Sequence, residues 1–128
     1  MNVLAVDNDM TVQSIISSFF SRYALEKSFE ITIKSVTDPV QAMFELSAKS
    51  YSYDLITLDV RMPRLTGDDI YATLLQTCPH LLDRILFATG FGDDLNERFP
   101  GHNFNIINKP FRYSSFKTSV EAIIEQRS

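Results

Sequence analysis

The sequence predicts an α/β protein built on a doubly wound parallel sheet with helices on both faces. Two observations predict it. Short apolar runs alternate five times with amphipathic stretches, and right-handed crossovers in such an alternation lay helices on both faces of a parallel sheet. Several of the apolar runs also end in a polar or charged residue, at Asp7, Asp59, Thr89 and Lys109, where an open parallel sheet forms its ligand crevice.

"NVLAV" at 2–6 is a buried strand. After it Val12, Ile15, Ile16, Phe19, Phe20 and Tyr23 recur at the spacing of an amphipathic helix, with Asp9 as its N-cap. "FEITIKSV" at 29–36 alternates with period two and is rich in β-branched residues, the pattern of a half-buried or edge strand. Asp38-Pro39 opens a helix with a capping acid and a proline at its first position, and Val40, Met43, Phe44 and Ser47 mark its expected inner face. "DLITLD" at 54–59 is the third strand. Gly67 precedes a helix carrying Ile70, Tyr71, Leu74 and Leu75, with Asp68 and Asp69 suited to its first turn. That helix stops before Pro79. "RILFAT" at 84–89 and "FNII" at 104–107 are the fourth and fifth strands. The segment between them offers only Leu95 and Phe99 as apolar anchors, so any helix there is short. The last helix is expected to start from a cap at Ser114 or Ser115 and to bury Phe116, Val120, Ile123 and Ile124. No repeat or linker appears, and residues 1–128 read as a single domain.

A chain of 128 residues can bury a core without disulfides or a structural metal. Its 45% hydrophobic and 22% charged content excludes a disordered or collagen-like chain. The net charge of -4 argues against a direct, sequence-independent grip on nucleic acid. Cys78 is the single cysteine, and Met1 leads into a strand rather than a signal sequence, so a cytoplasmic protein is expected. No apolar run approaches the ~20 residues of a membrane span.

The strand ends should bring together Asp7, Asn8 and Asp9 with Asp59, Thr89 and Lys109. Crowded carboxylates without His or Cys suit Mg2+, which commonly shares its coordination with phosphate oxygens. Lys109 would neutralise a phosphoryl oxygen and the Thr89 hydroxyl would bond another. Without a "GxxxxGK" loop or a glycine-rich fingerprint, nothing suggests direct ATP binding, whereas an Asp can accept a phosphoryl group covalently. Asp9 reads better as a cap than as a ligand. His80 and His102 lie in separate loops and read as surface residues, and "TGFG" reads as a turn.

"LAVDND", "DLITLDVRMPRLTG", "ILFATG" and "NKPF", in this order and spacing, resemble the receiver domain of bacterial two-component response regulators of the chemotaxis-regulator type, over essentially the whole chain. The resemblance implies a flavodoxin-like fold with strand order 2-1-3-4-5. It implies Asp59 as phosphoacceptor, Thr89 and Lys109 on the acyl phosphate, and Mg2+ held by Asp7, Asn8, Asp59 and the Arg61 backbone carbonyl. A cis peptide before Pro110 is implied as well. The implied partners are a sensor histidine kinase or phosphotransfer protein, and a downstream protein or domain on the face formed by the fourth helix, fifth strand and fifth helix. Such a domain is a signalling module that assists its own phosphotransfer, not an enzyme.

Two positions depart from the family pattern. Asn8 stands where a second acid usually binds the metal, and Ile106 stands where an aromatic switch residue is usual. Arg61 and Phe91 occupy positions that in the family are variable and tune the lifetime of the phosphoryl group. The departures leave open a pseudoreceiver, a phosphorylation-independent interaction module. "LAVDNDMT" also fits the D-x-D-x-T signature of haloacid-dehalogenase-type phosphohydrolases, with Asp7 as nucleophile and Asp9 as acid/base. That reading lacks an acidic metal motif after Lys109 and leaves "LDVRMPRLTG" unexplained.

Overall fold

The structure, a computed structural model, describes residues 1–127. The elements in order are β1 (Asn2–Val6), α1 (Met10–Lys27), β2 (Thr32–Val36), α2 (Pro39–Ala48), β3 (Leu55–Leu58), α3 (Gly67–Thr77), a 3-10 helix (Pro79–Arg84), β4 (Ile85–Thr89), α4 (Gly92–Arg98), β5 (Asn105–Asn108) and α5 (Tyr113–Arg127). All strand pairs are parallel and the sheet order is β2-β1-β3-β4-β5, as the resemblance implies.

Alternation along each strand divides the core in two. Leu4, Val6, Ile56, Leu58 and Phe87 pack with Leu46, Ile70, Leu74 and Leu95 from α2, α3 and α4. Val3, Ala5, Leu55, Leu86 and Ala88 pack with Ile16, Phe20, Phe116 and Val120 from α1 and α5. The strands are therefore covered on both faces, which explains why they read as continuous apolar runs. Among the described residues no helix is long and apolar enough to cross a membrane.

Several local expectations need correction. On α2 the buried residues are Pro39, Ala42 and Leu46, while Phe44 is 71% exposed and Val40 is also exposed. Of the expected face only Met43 packs partly against the core, while Ala42 and Leu46 are the residues fully buried against it. On α1, Ile15 is exposed and the polar Gln13 is buried in its stead. The chain after α3 does not simply stop at Pro79 but continues into a 3-10 helix that buries Leu81. α5 starts at Tyr113, so its cap falls at Arg112 rather than at Ser114 or Ser115, with the Phe116 N–H donating to the Arg112 carbonyl. His80 is half-buried and stacks on Tyr51, with ring centroids 4.4 Å apart. His102 is exposed but its Nδ1 shares a 2.8 Å hydrogen bond with the Tyr71 hydroxyl.

Candidate functional site

The register places the acids side by side. Val6 pairs with Leu58, so the next residue of each strand, Asp7 and Asp59, leaves the sheet at the same level. The Asp7 N–H donates to Val36 O (3.2 Å) and the Asp59 N–H to Val6 O (3.1 Å), extending the ladder to the acids themselves. On the other side the Lys109 N–H donates to Thr89 O at 3.1 Å. The Lys109-Pro110 peptide is cis.

Lys109 bridges the two carboxylates. Its Nζ lies 2.7 Å from Asp7 Oδ2 and 3.2 Å from Asp59 Oδ2. The remaining oxygens are held by the backbone, Asp7 Oδ1 by the Asp9 N–H (2.9 Å) and Asp59 Oδ1 by the Val60 N–H (2.8 Å). Both acids are buried, Asp7 at 1% exposure. Burial raises the Asp7 pKa above its ordinary value, outweighing the hydrogen bonds from Lys109 and the Asp9 N–H that favour the carboxylate. Burial opposes the charge of Lys109 too, but the hydrogen bond to Asp7 and the charges of Asp59 and Asp7 prevail and its pKa is raised. Two carboxylates against one ammonium leave the pocket with a net negative charge and a preference for a further cation.

The other predicted residues take distinct places. Thr89 is buried, and its Oγ1 accepts a hydrogen bond from the Phe91 N–H at 3.0 Å. Accepting at a lone pair leaves the hydroxyl proton for an incoming acceptor. Asn8 is exposed beside Asp7. Asp9 is engaged as the N-cap of α1, its Oδ1 accepting from the Thr11 and Val12 N–H groups. This turns Asp9 away from acid/base work on Asp7 and removes the geometric basis of the phosphohydrolase reading. The Arg61 side chain points out of the acid pair and meets Asp94. Ile106 is half-buried and lies against Gly92 at the start of α4.

The residues present fit Mg2+. The donors available are the carboxylates of Asp7 and Asp59, the Asn8 amide and backbone carbonyls, an oxygen-only set suited to a hard cation. Among the described residues no group of three or more His, Cys, Asp or Glu side chains could hold a metal ion. The physical reason lies in positions 8 and 9, one an amide without charge and the other an acid committed to a helix cap.

Three contributors escape sequence reasoning. Gly67 lies so close to β3 that a Cβ there would stand 2.0 Å from the Asp59 carbonyl oxygen. Asp94 sits in the segment with the weakest pattern. Gln13 donates from α1 to the backbone of β1 and β2. A polar residue inside an otherwise apolar stripe was the available signal for Gln13.

Comparison with known proteins gives the family and the fold. The family described as "Response regulator receiver domain" matches residues 3–121. The curated protein Transcription factor SKN7 of Chaetomium thermophilum is 26% identical over 109 residues, covering 85% of this chain, and the match spans only 14% of that protein's length. Among solved structures, a response regulator receiver domain protein from Clostridium thermocellum superposes with a TM-score of 0.81 at 18% identity, covering 98% of this chain and 95% of that one. A chain of the CheX-CheY-BeF3-Mg2+ complex from Borrelia burgdorferi gives a TM-score of 0.75 at 18% identity, with 97% and 89% covered. At these identities the structural likeness establishes the fold. With the family match over most of its length, the chain belongs to the response regulator receiver domain family, a signalling module of two-component systems rather than a true enzyme.

Proposed function

We propose that the chain accepts a phosphoryl group on Asp59 from the phosphohistidine of a sensor histidine kinase or phosphotransfer protein, with Mg2+. The observation that carries this reading is the bridge from Lys109 Nζ to two buried carboxylates on adjacent strands, at 2.7 and 3.2 Å. A carboxylate oxygen of Asp59 forms the O–P bond while the N–P bond breaks and the imidazole leaves with the electron pair. Lys109 then neutralises a phosphoryl oxygen in exchange for the Asp59 oxygen, and the Thr89 hydroxyl donates to another. Asp7, Asn8, Asp59 and the Arg61 carbonyl would hold Mg2+, which supplies positive charge against the phosphoryl oxygens. Output passes through protein contacts on the face formed by α4, β5 and α5, as a shift between two populations of that face.

The test is mass spectrometry after exposure to a small acyl-phosphate donor, and titration with beryllofluoride, each with and without Mg2+. Modification and beryllofluoride binding in the wild type, both lost in Asp59→Asn, are the expected result. No modification and no Mg2+ binding would instead support the pseudoreceiver, which the uncharged Asn8 favours.

A further inference from the structure

Gln13 sits on α1 and is only 4% exposed, yet it is polar. Its Nε2 lies 2.9 Å from Ala5 O, 3.1 Å from Asp7 O and 3.1 Å from Val36 O. Two amide protons are thus shared among three carbonyls, all at the ends of β1 and β2, where their ladder stops at the Val6–Val36 pair. Val36 O also receives the Asp7 N–H. The two peptide units flanking the Asp7 Cα are consequently both fixed, the N–H of one by Val36 and the carbonyl of the other by Gln13. With that backbone fixed, Asp7 Oδ1 meets the Asp9 N–H and Oδ2 meets Lys109.

The other end of the same amide tells what Gln13 is for. Gln13 Oε1 is buried and has no hydrogen-bond partner among the described residues. A buried acceptor without a partner is unfavourable, so the contribution of this side chain lies in its N–H groups.

We propose that Gln13 is a positioning residue for the phosphoacceptor site, holding the Asp7 backbone so that the Asp7 carboxylate faces Lys109 and Asp59. It touches neither acid side chain and acts through the backbone of Asp7. The inference rests on the reading of Asp7, Asp59 and Lys109 given above.

The test compares Gln13→Met, which keeps the shape and removes the donors, with Gln13→Asn, which keeps the amide but shortens its reach. Gln13→Lys supplies donors only. Ile16→Val, on the same buried face of α1, serves as a destabilised control that leaves the three amide hydrogen bonds of Gln13 in place. Two quantities are read by NMR, the chemical shift of the Asp9 amide, which reports on Asp7 Oδ1, and the Mg2+ dissociation constant. Gln13→Met and Gln13→Asn should move the Asp9 amide upfield and weaken Mg2+ binding about tenfold or more, the scale found for groups that orient a metal-holding side chain. Gln13→Lys should recover the Asp9 shift, its added charge itself opposing Mg2+, and Ile16→Val should change neither quantity. A melting temperature that falls while the Asp9 shift and Mg2+ affinity of Gln13→Met and Gln13→Asn stay at wild-type values would overturn the proposal. If the wild type binds no Mg2+, the reading of the site fails, and the Asp9 amide still decides whether Gln13 places Asp7.

Discussion

Arg61 and Asp94 join the loop after Asp59 to the first turn of α4. Arg61 Nε lies 2.9 Å from Asp94 Oδ2 and Nη2 lies 3.3 Å from Oδ1, while the guanidinium carbon stands 3.7 Å from the centre of the Phe91 ring. The two positions that the family resemblance marks as tuning phosphoryl lifetime are thus in contact, and an acid from α4 completes the arrangement. The hydrogen bond to Arg61 holds the Asp94 carboxyl below the usual range, and the same bond raises the Arg61 pKa. The pair is exposed, so it contributes little to stability, and it ties the first turn of α4 to the loop that follows Asp59.

Arg61→Ala and Asp94→Ala should therefore behave alike. Both should speed modification of Asp59 by a small acyl-phosphate donor, shorten the life of the product and hasten hydrogen exchange in the first turn of α4. Melting temperatures should barely move. Modification rates equal to wild type in both variants would show that the arm is no barrier. The far end of α4 should keep its protection, because Arg98 still holds Asp68 and Asp69 at 2.7 and 2.6 Å.

Gly67→Ala should be among the most damaging single-methyl changes in the chain. The added carbon would stand 2.0 Å from Asp59 O, 2.9 Å from Asp59 C and 3.0 Å from Val60 Cα. All three are backbone atoms that cannot turn aside, so α3 must retreat from β3. The expected loss is at or above the upper end of the ~1–3 kcal/mol typical of overpacking, read by urea unfolding. Beryllofluoride binding should weaken as well, since Asp59 itself carries the clash.

Asn8→Asp should tighten Mg2+ binding by about tenfold, or ~1.4 kcal/mol, as a charged oxygen replaces an amide beside Asp7. Calorimetric titration of both proteins checks this. Equal affinities would remove Asn8 from the metal-holding set.

Two tyrosines should contribute to the loss of stability at alkaline pH. Burial, then the hydrogen bond to Glu45 at 2.5 Å, pushes Tyr53 up to about 12. Burial and the hydrogen bond to Glu26 likewise bring Tyr113 to about 12. The folded state keeps these protons while the unfolded chain releases them near 10, so stability falls as pH rises from about 10 towards 12. Urea melts across that window should show a shallower fall in Tyr53→Phe/Tyr113→Phe than in the wild type. Parallel slopes in the two proteins would refute it.

Much of the site was legible because strands in a parallel sheet end together. An acid after "NVLAV" and another after "LITL" arrive at one edge by geometry alone, and Asp9 declares itself a cap by preceding an apolar-periodic run. The helix faces were less legible. Phe44 outranks Ala42 in hydrophobicity, but the face of α2 that meets the sheet is chosen by fit, and Ala42 is the one buried. Gly67 shows the same limit. Its place before a helix was readable, whereas its approach to Asp59 depends on how α3 docks.

Local periodicity and the residues at strand ends thus established the five-stranded α/β layout and the positions of its acids, since both arise from contacts between near neighbours in the chain. Which atoms pair within that convergence, and which helix residues join it, was settled only by tertiary packing. Lys109 reaches Asp7 across 102 residues and Asp59 across 50, Asp94 reaches Arg61 across 33, and Gln13 binds Val36 across 23. No local pattern encodes such separations. They follow from the register of parallel strands and from the close seating of helices against them, and these decide which carboxylates face a cation and which serve the backbone.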